Sequence, residues 1–133
     1  MNIPFSPPDI TEEEIEAVAE VMRSGWITTG PKTKELERKM AEFTHTNRGV
    51  CLNSATSCME MALRLFEIGP GDEVIVPAYT YTASASVVCH VGATLRLVDV
   101  EKGTFHIDYD AVESMINENT KAIIPVDLGG VMV

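Results

Sequence analysis

Four short apolar runs recur along this chain: Gly49-Val50-Cys51-Leu52, Glu73-Val74-Ile75-Val76, Thr94-Leu95-Arg96-Leu97-Val98 and Ala122-Ile123-Ile124-Pro125-Val126. They start about 21 to 28 residues apart. That interval fits one helix with its two loops and is far too long for a hairpin, so the pattern predicts parallel strands joined by helical crossovers. The stretches between the runs agree. Residues 57–68 are apolar on most sides and stop at Gly69-Pro70-Gly71, residues 83–91 stop at Gly92, and Asp108 is a suitable N-cap for a helix through Ile116. The predicted fold class is α/β, with four parallel strands alternating with helices.

The first third reads differently. Thr11 and Glu14 form a capping box with Ile10 and Ile15 as its hydrophobic staple, so a helix starts near Thr11. It carries Ile15, Val18 and Met22 on one face and ends at Ser24-Gly25. Gly25-Trp26-Ile27-Thr28-Thr29-Gly30-Pro31 is loop, and Leu36, Met40 and Phe43 recur at helical spacing in a second amphipathic helix from about Pro31 to Phe43. The expected division is a helical segment over 1–46 and an α/β part over 47–133.

The 133 residues suffice for one globular domain or part of one. A formal net charge of -10 argues against nucleic acid as a partner, because such a binder needs a basic stripe to neutralise phosphates. Much of the acid sits in Glu12, Glu13, Glu14, Glu16 and Glu20, which read as a solvated helix face. Cys51, Cys58 and Cys89 are odd in number and make no CxxC pair, so they read as small buried hydrophobes and support neither a disulfide framework nor a metal site. The N-terminus has no signal-peptide pattern, and no run of 18 apolar residues occurs. A cytoplasmic protein with no membrane partner is expected.

In a parallel α/β sheet, ligands collect beyond the carboxyl ends of the strands, where loops lead into helices. Asn53-Ser54-Ala55-Thr56-Ser57 follows the first run and Pro77-Ala78-Tyr79-Thr80-Tyr81-Thr82 follows the second. The first segment is either an ordinary N-cap or a seat for an anion, since the leading amides of a helix lack intrahelical partners and carry the positive end of its dipole. The second offers aromatic rings, as packing residues or as a platform for a flat ligand. Together they fit a phosphorylated aromatic cofactor. GxGxxG, GxxxxGK[ST] and GxSxG are all absent, which removes the dinucleotide, P-loop and hydrolase signatures. His45, His90 and His106 are scattered and read as structural or surface residues.

Gly25–Pro31, Asn53–Ser57, Gly69-Pro70-Gly71-Asp72-Glu73-Val74-Ile75-Val76-Pro77 with Tyr79-Thr80-Tyr81, and Gly92-Ala93 with Val98-Asp99-Val100 form four ordered motifs. In order and spacing they resemble the DegT/DnrJ/EryC1/StrS aminotransferases. The resemblance covers essentially the whole chain and corresponds to the family's N-terminal third. It implies the N-terminal part of the large domain of a fold-type I transferase that uses pyridoxal 5′-phosphate. It also implies transfer of an amino group, with glutamate as the usual donor, to a keto sugar attached to a nucleotide.

Residue by residue, the resemblance assigns Ser54, Ala55 and Thr56 to the cofactor phosphate and Tyr81 to the face of its ring. Trp26, Thr28 and Thr29 fall in the loop near the sugar nucleotide and the subunit boundary, which implies a homodimer or other self-association. Asn53 and Ser57 are neighbours without an assigned contact. No catalytic residue is assigned: the family's ring-nitrogen aspartate and cofactor-bearing lysine lie beyond the matched motifs, and Asp127, Lys102 and Lys121 do not stand in for them. The resemblance therefore implies the binding part of a longer enzyme, inactive alone, with strand edges that later sequence would cover. Two other readings stay open, a sugar dehydratase of the same family and a non-catalytic α/β binding module.

Overall fold

The computed structural model describes residues 3–4 and 6–132. These divide into two compact units, one ending at Cys51 and the other beginning at Leu52.

The first unit holds two helices, α1 (Glu12–Ser24) and α2 (Pro31–Phe43). Both start where local chemistry says they should. The Thr11 amide donates to Glu14 Oε2 at 2.6 Å while Thr11 Oγ1 accepts from the Glu13 amide at 3.3 Å, and Glu12, Glu13 and Glu14 face the positive end of the α1 dipole. Helix α1 ends at Gly25, in the left-handed region with its N–H donated to the Met22 carbonyl. Helix α2 opens on Pro31, whose missing N–H costs nothing in a first turn. Ile15, Val18 and Met22 of α1 and Leu36, Met40 and Phe43 of α2 are exposed.

The second unit is a three-stranded parallel sheet with helices on both faces. Its elements are α3 (Ala55–Leu65), β1 (Glu73–Pro77), α4 (Ala83–His90), β2 (Thr94–Val98), α5 (Tyr109–Met115) and β3 (Thr120–Ile123), followed by a 3-10 turn at Leu128–Gly130. The strand order is β2-β1-β3, with both pairings parallel. Strand β1 is central and buried from Val74 to Pro77, the continuous apolar run of a parallel strand covered on both sides. Alternation along it sorts the core. Val74 and Val76 pack with Leu63, Ile68, Val87, Val88 and Val91 beneath α3 and α4, whereas Ile75 packs on the opposite face with Val98, Ile107 and Val112 of α5.

Four expectations need correction, the first being burial of the cysteines: Cys58 and Cys89 are exposed and Cys51 is half-buried. Residues 49–52 form no strand; they run without a ladder partner among the described residues, and Val50 is 74% exposed. An apolar run becomes a strand only when a neighbour takes up its backbone N–H and C=O groups. The last strand covers Thr120–Ile123 rather than residues 122–126, because Pro125 has no N–H to donate to a ladder; Lys121 thus lies within β3 instead of ahead of it, its Nζ donating to the Glu118 carbonyl at 2.9 Å. Helix α3 runs from Ala55 to Leu65 instead of 57–68. Its end precedes the glycines: Glu67 takes φ 57°, and the N–H of buried Ile68 reaches back to the Leu63 carbonyl at 3.0 Å.

Candidate functional site

The carboxyl edge of the sheet is defined by connectivity. Helices α3 and α4 pack side by side, and each leads into the amino end of a strand, α3 into β1 and α4 into β2. Since β1 and β2 are parallel, the two helices run back across the sheet in a common direction, with their N-termini toward its carboxyl edge. Contacts at the other end agree. Glu60 accepts from both Arg64, at 2.8 Å, and His90 Nδ1, at 2.9 Å, and so ties the latter part of α3 to the end of α4.

Ser54 is the N-cap of α3. Its backbone is extended (φ -162°, ψ 158°), its Oγ accepts from the Ser57 amide at 3.1 Å, and its hydroxyl donates to Ser57 Oγ at 3.0 Å. The cap reading of this segment is therefore realised, and it leaves something over. Ser57 is the third helical residue and its N–H is taken; among the described residues, no acceptor lies on the N–H groups of Ala55 and Thr56. No acidic residue stands in the first turn of α3, in contrast to the three glutamates of α1. No side chain of its own first turn therefore offsets the positive end of the α3 dipole.

The two tyrosines after β1 separate. Tyr79 stacks on Phe105, with ring centroids 4.8 Å apart and planes 24° from parallel. Phe105 belongs to the loop after β2, folded back by the antiparallel bridge between Val100 and Ile107 and by the Glu101 N–H on the His106 carbonyl. Tyr81 has no ring partner among the described residues and is 81% exposed. Its carbonyl accepts from Ser84 N–H as the chain enters α4, and Thr80 Oγ1 lies 3.1 Å from buried Ser84 Oγ, so its backbone is fixed on both sides while its ring is open.

Thus Ser54, Ala55, Thr56 and Tyr81 all lie at helix starts on one edge of one unit. Sequence reasoning did not single out Phe105, and the turn at Gly103 that brings it back was the available signal.

Trp26, Thr28 and Thr29 belong to the first unit. Trp26 Nε1 donates to the Thr29 carbonyl at 3.0 Å, and its indole lies so close over Gly30 that a Cβ there would sit 2.2 Å from Nε1, so any larger residue displaces the ring. Trp26 and Thr28 line a cleft of about 570 Å³ with Glu20, Val21, Pro31 and Lys32.

A sequence profile of the DegT/DnrJ/EryC1/StrS aminotransferase family matches residues 8–133. The chain belongs to this family. Among solved structures, it is similar to Spr1654 of Streptococcus pneumoniae, described as a candidate sugar aminotransferase. In the PLP form of that protein the identity is 62% and the TM-score 0.95, over 100% of this chain and 34% of that one; a PMP form matches equally well. An aminotransferase from Psychrobacter cryohalolentis is 34% identical with a TM-score of 0.88, over 97% of this chain and 33% of that one. A DegT/DnrJ/EryC1/StrS aminotransferase from Brucella abortus is 32% identical with a TM-score of 0.82, over 90% and 34%. The chain spans about a third of the length of these relatives. Among the described residues, no helix is long and apolar enough to cross a membrane.

Proposed function

We propose that this chain supplies the phosphate seat and the ring platform of a pyridoxal-phosphate-dependent aminotransferase that moves an amino group from glutamate to a nucleotide-linked keto sugar. The observation that carries this reading is the start of α3, where the Ala55 and Thr56 amides lack acceptors among the described residues and no acid stands nearby in the turn. The donor set fits a phosphate monoester: two amides stand at the positive end of a helix dipole, and Thr56 and Ser57 of the same turn carry hydroxyls. The PLP and PMP forms of Spr1654 support the choice of cofactor.

In this reading Ser54 shapes the seat by capping the helix, Ala55 and Thr56 hold the phosphate, and the exposed ring of Tyr81 lies against the cofactor ring and shields that face from water. Pyridoxal phosphate supplies a heteroaromatic ring that withdraws electrons from the carbon bearing the amine. Trp26, Thr28 and Thr29, in the segment 1–46, contact the sugar nucleotide; the cleft against Trp26 and Thr28 supports that role. Residues 47–133 form part of the cofactor domain. The protein acts in the cytoplasm as a homodimer, and these residues without the rest of the enzyme do not transaminate.

The test uses pyridoxine 5′-phosphate, which keeps ring and phosphate but has no aldehyde to react with surface lysines. Binding to the chain is expected to be saturable, to weaken about tenfold in Thr56→Ala, and to be lost when pyridoxine without phosphate is the probe. Equal binding of the two probes would sink the reading and favour a non-catalytic module whose Ser54 is only a cap.

A further inference from the structure

The geometry points to Phe105 as a positioning residue that holds the Tyr81 ring in place by acting through Tyr79. This deepens the reading above and rests on it, and every residue involved lies in the second unit. Tyr81 stands in the short connection between β1 and α4. The Ala78 N–H extends the ladder to the Val98 carbonyl at 2.8 Å, and beyond it no carbonyl takes the N–H groups of residues 79–81 among the described residues. Thr80 Oγ1 and the Tyr81 carbonyl are both engaged by Ser84 of α4, so these contacts fix the connection only to the helix it leads into. Past Ala78, the stack of Tyr79 on Phe105, 4.8 Å between centroids, braces the connection against a neighbouring loop.

Phe105 is a firm support. Its loop closes through the Val100–Ile107 bridge, the Glu101 N–H on the His106 carbonyl at 2.9 Å and the Thr104 N–H on the Glu101 carbonyl at 3.0 Å, and it turns at Gly103 in the left-handed region (φ 85°). Just beyond the ring, Ile107 is buried with Ile75, Val98 and Val112. The core therefore holds the loop, the loop holds Phe105, and the near-parallel stack holds Tyr79, which precedes Tyr81 by one intervening residue. Tyr81 needs such support. A ring 81% exposed has little packing of its own, so its backbone decides where it stands. A connection restrained before the ligand arrives loses less entropy when the ring closes on a flat partner.

The experiment compares pyridoxine 5′-phosphate with glycerol 3-phosphate, a phosphate monoester that has no ring, and follows the NMR shifts of the Ala55 and Thr56 amides. The parent is expected to bind pyridoxine 5′-phosphate the more tightly, and Tyr81→Ala to remove that difference. Phe105→Ala is expected to weaken pyridoxine 5′-phosphate about fivefold while glycerol 3-phosphate stays within about twofold, and Phe105→Tyr, which keeps a ring face, to bind as the parent does. Made in the Tyr81→Ala background, Phe105→Ala is expected to cost nothing further, because a residue that works through Tyr81 has no effect once that ring is gone. A merely structural Phe105 predicts equal losses for the two probes, or the same loss with and without the Tyr81 ring, and either result overturns the role. Should Phe105→Ala fail to fold, Phe105→Leu, which keeps apolar bulk without an aromatic face, enters the same cycle with the same expectations. Ring-dependent binding by the parent that the Phe105 variant leaves intact overturns the positioning role alone. A parent that binds both phosphates equally overturns the ring platform and this role with it, and a parent whose Ala55 and Thr56 amides respond to neither overturns the seat itself.

Discussion

Ser54 and Tyr81 are both assigned to a cofactor, yet they make opposite demands on the fold. The Ser54 hydroxyl is engaged within the chain itself, on the Ser57 amide, so Ser54→Ala is expected to cost about 1 kcal/mol of stability as well as affinity, measurable by urea denaturation. Tyr81 contributes an open ring, so Tyr81→Ala should leave stability within about 0.5 kcal/mol while weakening pyridoxine 5′-phosphate, and Tyr81→Phe should restore binding. Tyr79 gives the control. Its stack on Phe105 makes Tyr79→Ala destabilising by about 0.5–1.5 kcal/mol beyond the area lost, and a Tyr79→Ala variant as stable as the parent would deny that the stack forms in solution.

At the level of elements, local chemistry and long-range pairing separate what was legible from what was not. The start of α1, the span of α2 and the Asp108 cap of α5 followed from side chains within a few residues of the terminus concerned, and all three stand as expected. Strands β1 and β2 were equally plain, because Val74, Ile75 and Val76 have no polar face to turn to water. Residues 49–52 look the same in sequence and are not a strand, since a strand needs a partner that composition does not reveal. The site divides likewise: the hydroxyls at 54–57 announce themselves, whereas the stack of Phe105 on Tyr79 depends on the fold. Because β1 is covered on both faces, Ile75→Ala is expected to cost about 2–5 kcal/mol, read from the shift in urea midpoint at constant slope.

Across the whole molecule, acid should be the sharper stress. Hydrogen bonds from Thr11 hold the Glu14 carboxyl below its ordinary range; Lys39 does so for Glu35, Lys34 and the Cys51 amide for Glu37, and Arg64 and His90 for Glu60. A carboxyl depressed in the folded state contributes stability that is complete above its unfolded pKa and is lost as pH falls through the folded value. The melting temperature is therefore expected to decline on acidification through the carboxylate range, and Glu60→Gln to flatten that decline; an unchanged slope would show that the α3–α4 tie carries no weight. The strand order has a consequence for the protein while it is being made. Strand β1 meets β2 with only α4 between them, whereas β3 must pass α5 and reach the far side of β1. On the ribosome, one flank of the central strand is thus closed early and the other stays uncovered until residues 120–123 emerge, which makes that interval the moment when a chaperone has most to protect.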